Sequence, residues 1–155
     1  MKWYRKAAEQ GDAQAQFNLG AMYHKGDGVP KNDAKAVKWY SKAAEQGLAQ
    51  AQFSLGNRYS EGTGVPKNHA EAAKWYQRAA KQGYAKAQYN LGNMYFNGEG
   101  VPVNDVRAYM WWSLSKAQGD KSAATNLDIV KEQMTPAQIA KAQELAAEWW
   151  EEHNN

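Results

Sequence analysis

One pattern recurs through the chain at a fixed interval of 36 residues. Trp3-Tyr4 returns as Trp39-Tyr40, as Trp75-Tyr76 and as Trp111-Trp112. Gly11, Gly47, Gly83 and Gly119 keep the same interval, as do Leu19-Gly20, Leu55-Gly56 and Leu91-Gly92. Val29-Pro30, Val65-Pro66 and Val101-Pro102 form a third series. A period of this size marks a supersecondary unit too small to bury its own apolar face, which it covers by stacking on its copies. The chain is therefore expected to be a solenoid rather than a domain with one central core.

The unit itself reads as two helices. In the second unit Ala51, Leu55 and Tyr59 recur four residues apart, one face of a helix A. Gly62 follows as a left-handed cap, and Pro66 stops the chain from continuing helically. Asn68 then caps a helix B, with Glu71 three residues on as in a capping box. Ala72, Tyr76, Ala79 and Ala80 form the apolar face of helix B, and Gly83 ends it. Asn32 and Asn104 repeat the cap in the neighbouring units, although Lys35 and Arg107 stand in the place of the acid. Gly20, Gly56 and Gly92 lie inside helix A, where a glycine costs about 1 kcal/mol relative to alanine. That recurring cost predicts close approach of helix B, whose alanines face the same gap.

Composition agrees with an all-α chain. Apolar content is 43%, yet mean hydropathy is −0.85, because the apolar residues are largely Ala, Trp and Tyr. Alanine favours helices, and large aromatics fill the gaps between them. The net charge of +3 comes from interspersed signs, so no basic stripe argues for nucleic acid. No apolar run is long enough to span a membrane. There is no cysteine, which removes disulfide scaffolds and thiolate metal sites. His24, His69 and His153 are far apart and match no metal-ligand spacing. The Gly-x-Gly loops lack a following Gly-Lys-Ser/Thr and recur at helix C-termini, so they reverse the chain rather than cradle phosphate. The reading is of a non-enzyme with no cofactor and no metal.

The pattern Ala51, Leu55, Gly56, Tyr59, Gly62, Gly64, Val65, Pro66, Asn68, Ala72, Trp75, Tyr76, Ala79, Ala80, Gly83 resembles the Sel-one-like repeat, a relative of the tetratricopeptide repeat. The resemblance implies an α-solenoid of antiparallel helix pairs in a right-handed superhelix, engaged in protein–protein interaction. It divides one repeat domain into a partial helix B over 1–11, full repeats over 12–47, 48–83 and 84–119, and a closing half repeat with a capping helix over 120–155. In that closing part Ala123, Leu127 and Val130 continue a helix A, Asp128 replaces the packing glycine, and Thr135-Pro136 starts the last helix. Trp149-Trp150 is expected to fold back over the last repeat. Bacterial members are often exported. A cytoplasmic location and a periplasmic or secreted one after loss of a signal peptide are both compatible with the sequence.

In tetratricopeptide-like stacks the A helices line the concave surface. Carried over to this chain, the partner-binding positions are Gln14, Phe17 and His24, then Gln50, Phe53 and Asn57, then Lys86, Tyr89, Asn93 and Phe96. Phe17, Phe53 and Tyr89 are either an aromatic ladder for a protein or peptide partner or half of the core. Asn57 and Asn93 are expected to offer amides to solvent or partner. The alternative function is a structural subunit that self-associates through its terminal helices, with Trp3, Tyr4, Trp149 and Trp150 as the contact residues.

Overall fold

The computed structural model describes residues 2–154, and all regular structure among them is helical. The order is α1 Lys2–Glu9, α2 Ala13–Lys25, α3 Asp33–Glu45, α4 Ala49–Glu61, α5 His69–Lys81, α6 Ala85–Asn97, α7 Asp105–Ala117, α8 Lys121–Lys131 and α9 Pro136–Asn154. Helices α2, α4, α6 and α8 are the A helices of the repeat, and α1, α3, α5 and α7 the B helices. The architecture is an all-α repeat solenoid. It divides into two compact units, Met1–Trp75 and Tyr76–Asn155.

Local chemistry sets the helix ends. Gly26, Gly62 and Gly98 adopt left-handed conformations at φ 78°, 69° and 71° and close the A helices. The side chains of Asn32, Asn68 and Asn104 each accept a hydrogen bond from the backbone N–H three residues on. The capping box at Glu71 is not reciprocal, however. The Asn68 N–H donates to the Tyr59 carbonyl, while Glu71 pairs with Lys74. Asn32 and Asn104 likewise donate to the Tyr23 and Tyr95 carbonyls. The cap N–H is already satisfied across the helix pair, which explains why Lys35 and Arg107 can stand where an acid was expected. A complete box occurs at α9, where Thr135 and Gln138 exchange bonds of 2.9 and 3.2 Å.

In the first unit the core runs through Leu19, Ala36, Tyr40, Ala43, Ala51 and Leu55. Successive repeats are joined by buried glutamines. Gln16 donates to the Ala8 carbonyl and Gln52 to the Ala44 carbonyl, each tying the start of an A helix to the end of the preceding B helix. Gly64, at φ 80°, lies so close to the Asp33 backbone that a Cβ there would fall on its carbonyl. In the second unit Gln88 repeats the joint on Ala80. There α9 folds back along α7, as expected, with Trp149 edge-on to Trp111 at 6.4 Å and Gln143 donating to the Tyr109 hydroxyl.

Gly20 and Gly92 inside the A helices are indeed packed against helix B, where an aromatic ring comes nearest and, at Gly20, the Ala36 carbonyl follows. A Cβ on Gly20 would meet the Tyr40 ring at 2.7 Å, and one on Gly92 the Trp112 indole at 2.5 Å.

Candidate functional site

Each expected partner-binding residue has a definite place. Gln14 is exposed and donates to Asn18; Gln50 and Lys86 are also exposed. Phe17, Phe53 and Tyr89 are all half-buried, and Phe17 rests on Tyr40 at 5.7 Å. Asn57 is half-buried.

His24, which the sequence reading placed at the groove, has partners of its own within the fold. It is tied into an ionic cluster drawn from three helices of the first unit. Its Nδ1 donates to Asp33 Oδ1 at 2.8 Å. The Arg58 Nη1 lies 2.9 Å from Nδ1 and 3.0 Å from Nε2, and Nη2 pairs with Glu61 at 3.1 Å. Arg58 is only 8% exposed, and its Nε is buried without a partner. The His24 hydrogen bond, helped by the charges of Lys31, His24 and Arg58 and opposed by desolvation, holds the Asp33 carboxyl below the usual carboxylate range. Burial pushes the neighbouring Tyr40 phenol up. The cluster was hidden from sequence reading because its partners stand 9 and 34 residues from His24.

Asn93 and Phe96 are brought together in the second unit. They line a cleft of about 210 Å³ with Asn97, Trp112, Asn126 and Ile129. Its floor is Trp112, 2% exposed, against which Phe96 tilts at 5.6 Å. The indole Nε1–H donates to the Tyr89 carbonyl at 3.1 Å and lies 3.2 Å from Asn93 Oδ1. Asn126 Nδ2 also donates to Asn93 Oδ1, at 3.1 Å. Asn93 is thus no simple solvent-facing amide: its oxygen is spent inside the protein. The same bonds fix its orientation, leaving Nδ2 of Asn93 as a donor and Oδ1 of Asn126 as an acceptor with no partner among the described residues. Ile129 stands beside them, 49% exposed. A donor and an acceptor held side by side above an aromatic floor match the C=O and N–H of one residue in an extended chain, flanked by an apolar side chain. Asn126 and Ile129 come from α8, where the repeat pattern is broken, so no periodicity pointed to them.

At the other end of the chain Trp3 is 72% exposed, with Tyr4 edge-on to it. No group of His, Asp or Glu residues able to hold a metal ion occurs among the described residues. Among them, too, no helix is long and apolar enough to cross a membrane.

The Sel1 repeat profile matches residues 1–12, 13–48, 49–84 and 85–120. Similar solved structures include the following three. One is c5321, a protective antigen present in uropathogenic Escherichia coli strains and displaying an SLR fold: 38% identity, TM-score 0.88, covering 98% of this chain and 32% of that one. The chain thus spans about a third of that relative's length. A Sel1 repeat protein from Oxalobacter formigenes is 42% identical, with TM-score 0.75 over 81% of this chain and 94% of that one. Helicobacter pylori cysteine rich protein B is 25% identical, with TM-score 0.64 over 81% and 90%. Among curated proteins no match is found.

Proposed function

Because the chain belongs to the Sel1 repeat family, a non-catalytic class of protein-interaction scaffold, we propose that it binds an extended segment of a partner protein along its A helices, with the cleft of the second unit as the main contact. The observation that carries this reading is the fixed amide pair Asn93–Asn126 beside Phe96 and Ile129. One residue of the partner's extended backbone places its C=O on Asn93 Nδ2 and its N–H on Asn126 Oδ1, and an adjacent apolar side chain covers Ile129. Lys86 and Tyr89 extend the contact along α6, and Gln14, Phe17, Gln50, Phe53 and Asn57 offer a further contact on α2 and α4 of the first unit. His24 contributes by fixing Arg58 rather than by touching the partner.

Affinity capture from a lysate with the chain and with Ile129→Glu as baits tests the proposal. Ile129 is about half exposed, so the variant should keep its fold while placing a charge where the apolar side chain should dock. A partner retained by the first bait and lost by the second supports the site, and equal retention contradicts it. The alternative of a self-stacking subunit draws on the exposed indole of Trp3. Light scattering across a concentration range decides it, since a strict monomer removes that reading.

A further inference from the structure

A second cleft, of about 220 Å³, opens where α9 folds back on the second unit, away from the Asn93–Asn126 pair. Gly83, Gln118, Trp149, Trp150, His153 and Asn154 line it, and no charged side chain does. The corresponding junction in the first unit has a different closure. There Gln46 Nε2 donates to the Gly11 carbonyl at 2.9 Å and to Gln16 Oε1 at 2.8 Å. Its counterpart Gln118 keeps the bond to Gln88 Oε1 at 2.8 Å, but its second contact turns to the Leu114 carbonyl of its own helix at 3.4 Å. Trp149 has come in over Gly83 instead, where a Cβ would meet its ring at 3.6 Å.

The polar groups left in this cleft have a definite sense. Both Gln118 contacts use Nε2, so Oε1 remains an acceptor. Asn154 Nδ2 donates to the Trp150 carbonyl, which leaves its Oδ1 an acceptor too. His153 is stacked on Trp149 at 4.0 Å with 12° between the planes, and its Nδ1 donates to the Trp149 carbonyl. In that neutral tautomer Nε2 is a third acceptor. Trp149 Nε1–H is buried without a partner and adds no exposed donor to the cleft. Trp150, 40% exposed, presents an indole at the rim.

A ligand that answers this set must donate several hydrogen bonds, carry no net charge and offer an apolar face. Hydroxyl groups both donate and accept, and the C–H face of a pyranose ring stacks on an indole. An organic cation would answer the acceptors but would find no carboxylate in the lining to balance its charge. The volume lies below that of pockets for drug-sized ligands and suits a single ring. We propose that this cleft binds one saccharide unit, either a free sugar or a residue within a glycan chain.

Saturation-transfer NMR and tryptophan fluorescence titrations on the purified chain test it. The probes are glucose, galactose, N-acetylglucosamine and their methyl glycosides, with tetramethylammonium as the cationic control. The expected result is saturable binding of at least one sugar or glycoside, weakened about tenfold in Trp150→Ala through loss of the stacking face. Asn154→Ala, which removes one acceptor at an exposed position, should weaken it about threefold. Binding of the glycosides points to a chain-linked residue, and binding of the free sugars alone to a free ligand. The proposal is overturned if no sugar saturates, if tetramethylammonium binds more tightly than every sugar, or if Asn154→Ala and a folded Trp150→Ala both bind like the parent chain.

Discussion

The two units solve the same packing problem with different chemistry. In the first, the gap over Gly20 is filled by the Tyr40 phenol, and the surrounding positions close with ions: His24, Asp33, Arg58 and Glu61. In the second, 72 residues on, the gap over Gly92 is filled by the Trp112 indole. There Ala21 has become Asn93, His24 has become Phe96, and Arg58 has become Val130. The larger ring brings an N–H that must be satisfied, and Tyr89 and Asn93 satisfy it. Removing the histidine and arginine leaves an apolar rim with fixed amides. The contrast teaches that the repeat prescribes ring-over-glycine packing and leaves open which polar groups surround it. In the second unit those groups form a cleft; in the first they are consumed by one another.

Exchanging the rings breaks the comparison most severely. Trp112→Ala should cost about 3–5 kcal/mol, since it empties a fully buried site and strands the Asn93 and Tyr89 acceptors. Tyr40→Trp, the reverse transplant, should cost about 1–3 kcal/mol, because the larger ring meets Gly20 and its N–H would face Ala21. Denaturant unfolding of both variants checks the order. If Tyr40→Trp is as stable as the parent, the environment around the ring is not what distinguishes the units.

Asn93→Ala comes next, at about 1 kcal/mol, from the loss of an acceptor serving both Trp112 and Asn126. An amide offered only to solvent or a partner, as the sequence suggested, would leave the melting temperature nearly unchanged in this variant. Differential scanning calorimetry separates the two expectations.

The ionic cluster gives the smallest effect and the one that depends on pH. Asp33 has a lowered pKa in the folded chain, so its contribution is present above the unfolded carboxylate pKa and is lost as pH falls through the folded value. Acidification below the ordinary carboxylate range should therefore destabilise the parent chain more than Asp33→Asn. At neutral pH that variant should be less stable by about 1 kcal/mol. Parallel melting curves for the two proteins would contradict this role for Asp33.

Helix order, helix ends and the fold-back of Trp149 were legible in the sequence because each is written locally, in glycine, proline and asparagine at fixed offsets. The rings over Gly20 and Gly92 were half legible: the glycines announced a close neighbour, but an alanine was the simpler guess. Gln16, Gln52 and Gln88 were not legible as joints, since a glutamine in an alanine-rich helix reads as surface until its carbonyl partner is seen. The same holds for His24, whose partners come from other helices, and for Asn126 and Ile129, which lie where periodicity ends. Repetition reveals what the scaffold needs. The 23 of 36 positions shared by the first two full units are mostly of that kind, and the rest must be placed in space before their chemistry appears.

The central claim is that the second unit's amide–aromatic cleft reads a partner's backbone and one apolar side chain. The most direct measurement is an NMR titration of the chain with a peptide selected for binding to it, followed through the side-chain amide signals of Asn93, Asn97 and Asn126. The account predicts that these signals and those of Ile129 shift most, and that Ile129→Glu weakens binding more than tenfold, a loss above about 1.4 kcal/mol. Shifts confined to other parts of the chain, with unchanged affinity in Ile129→Glu, would contradict it.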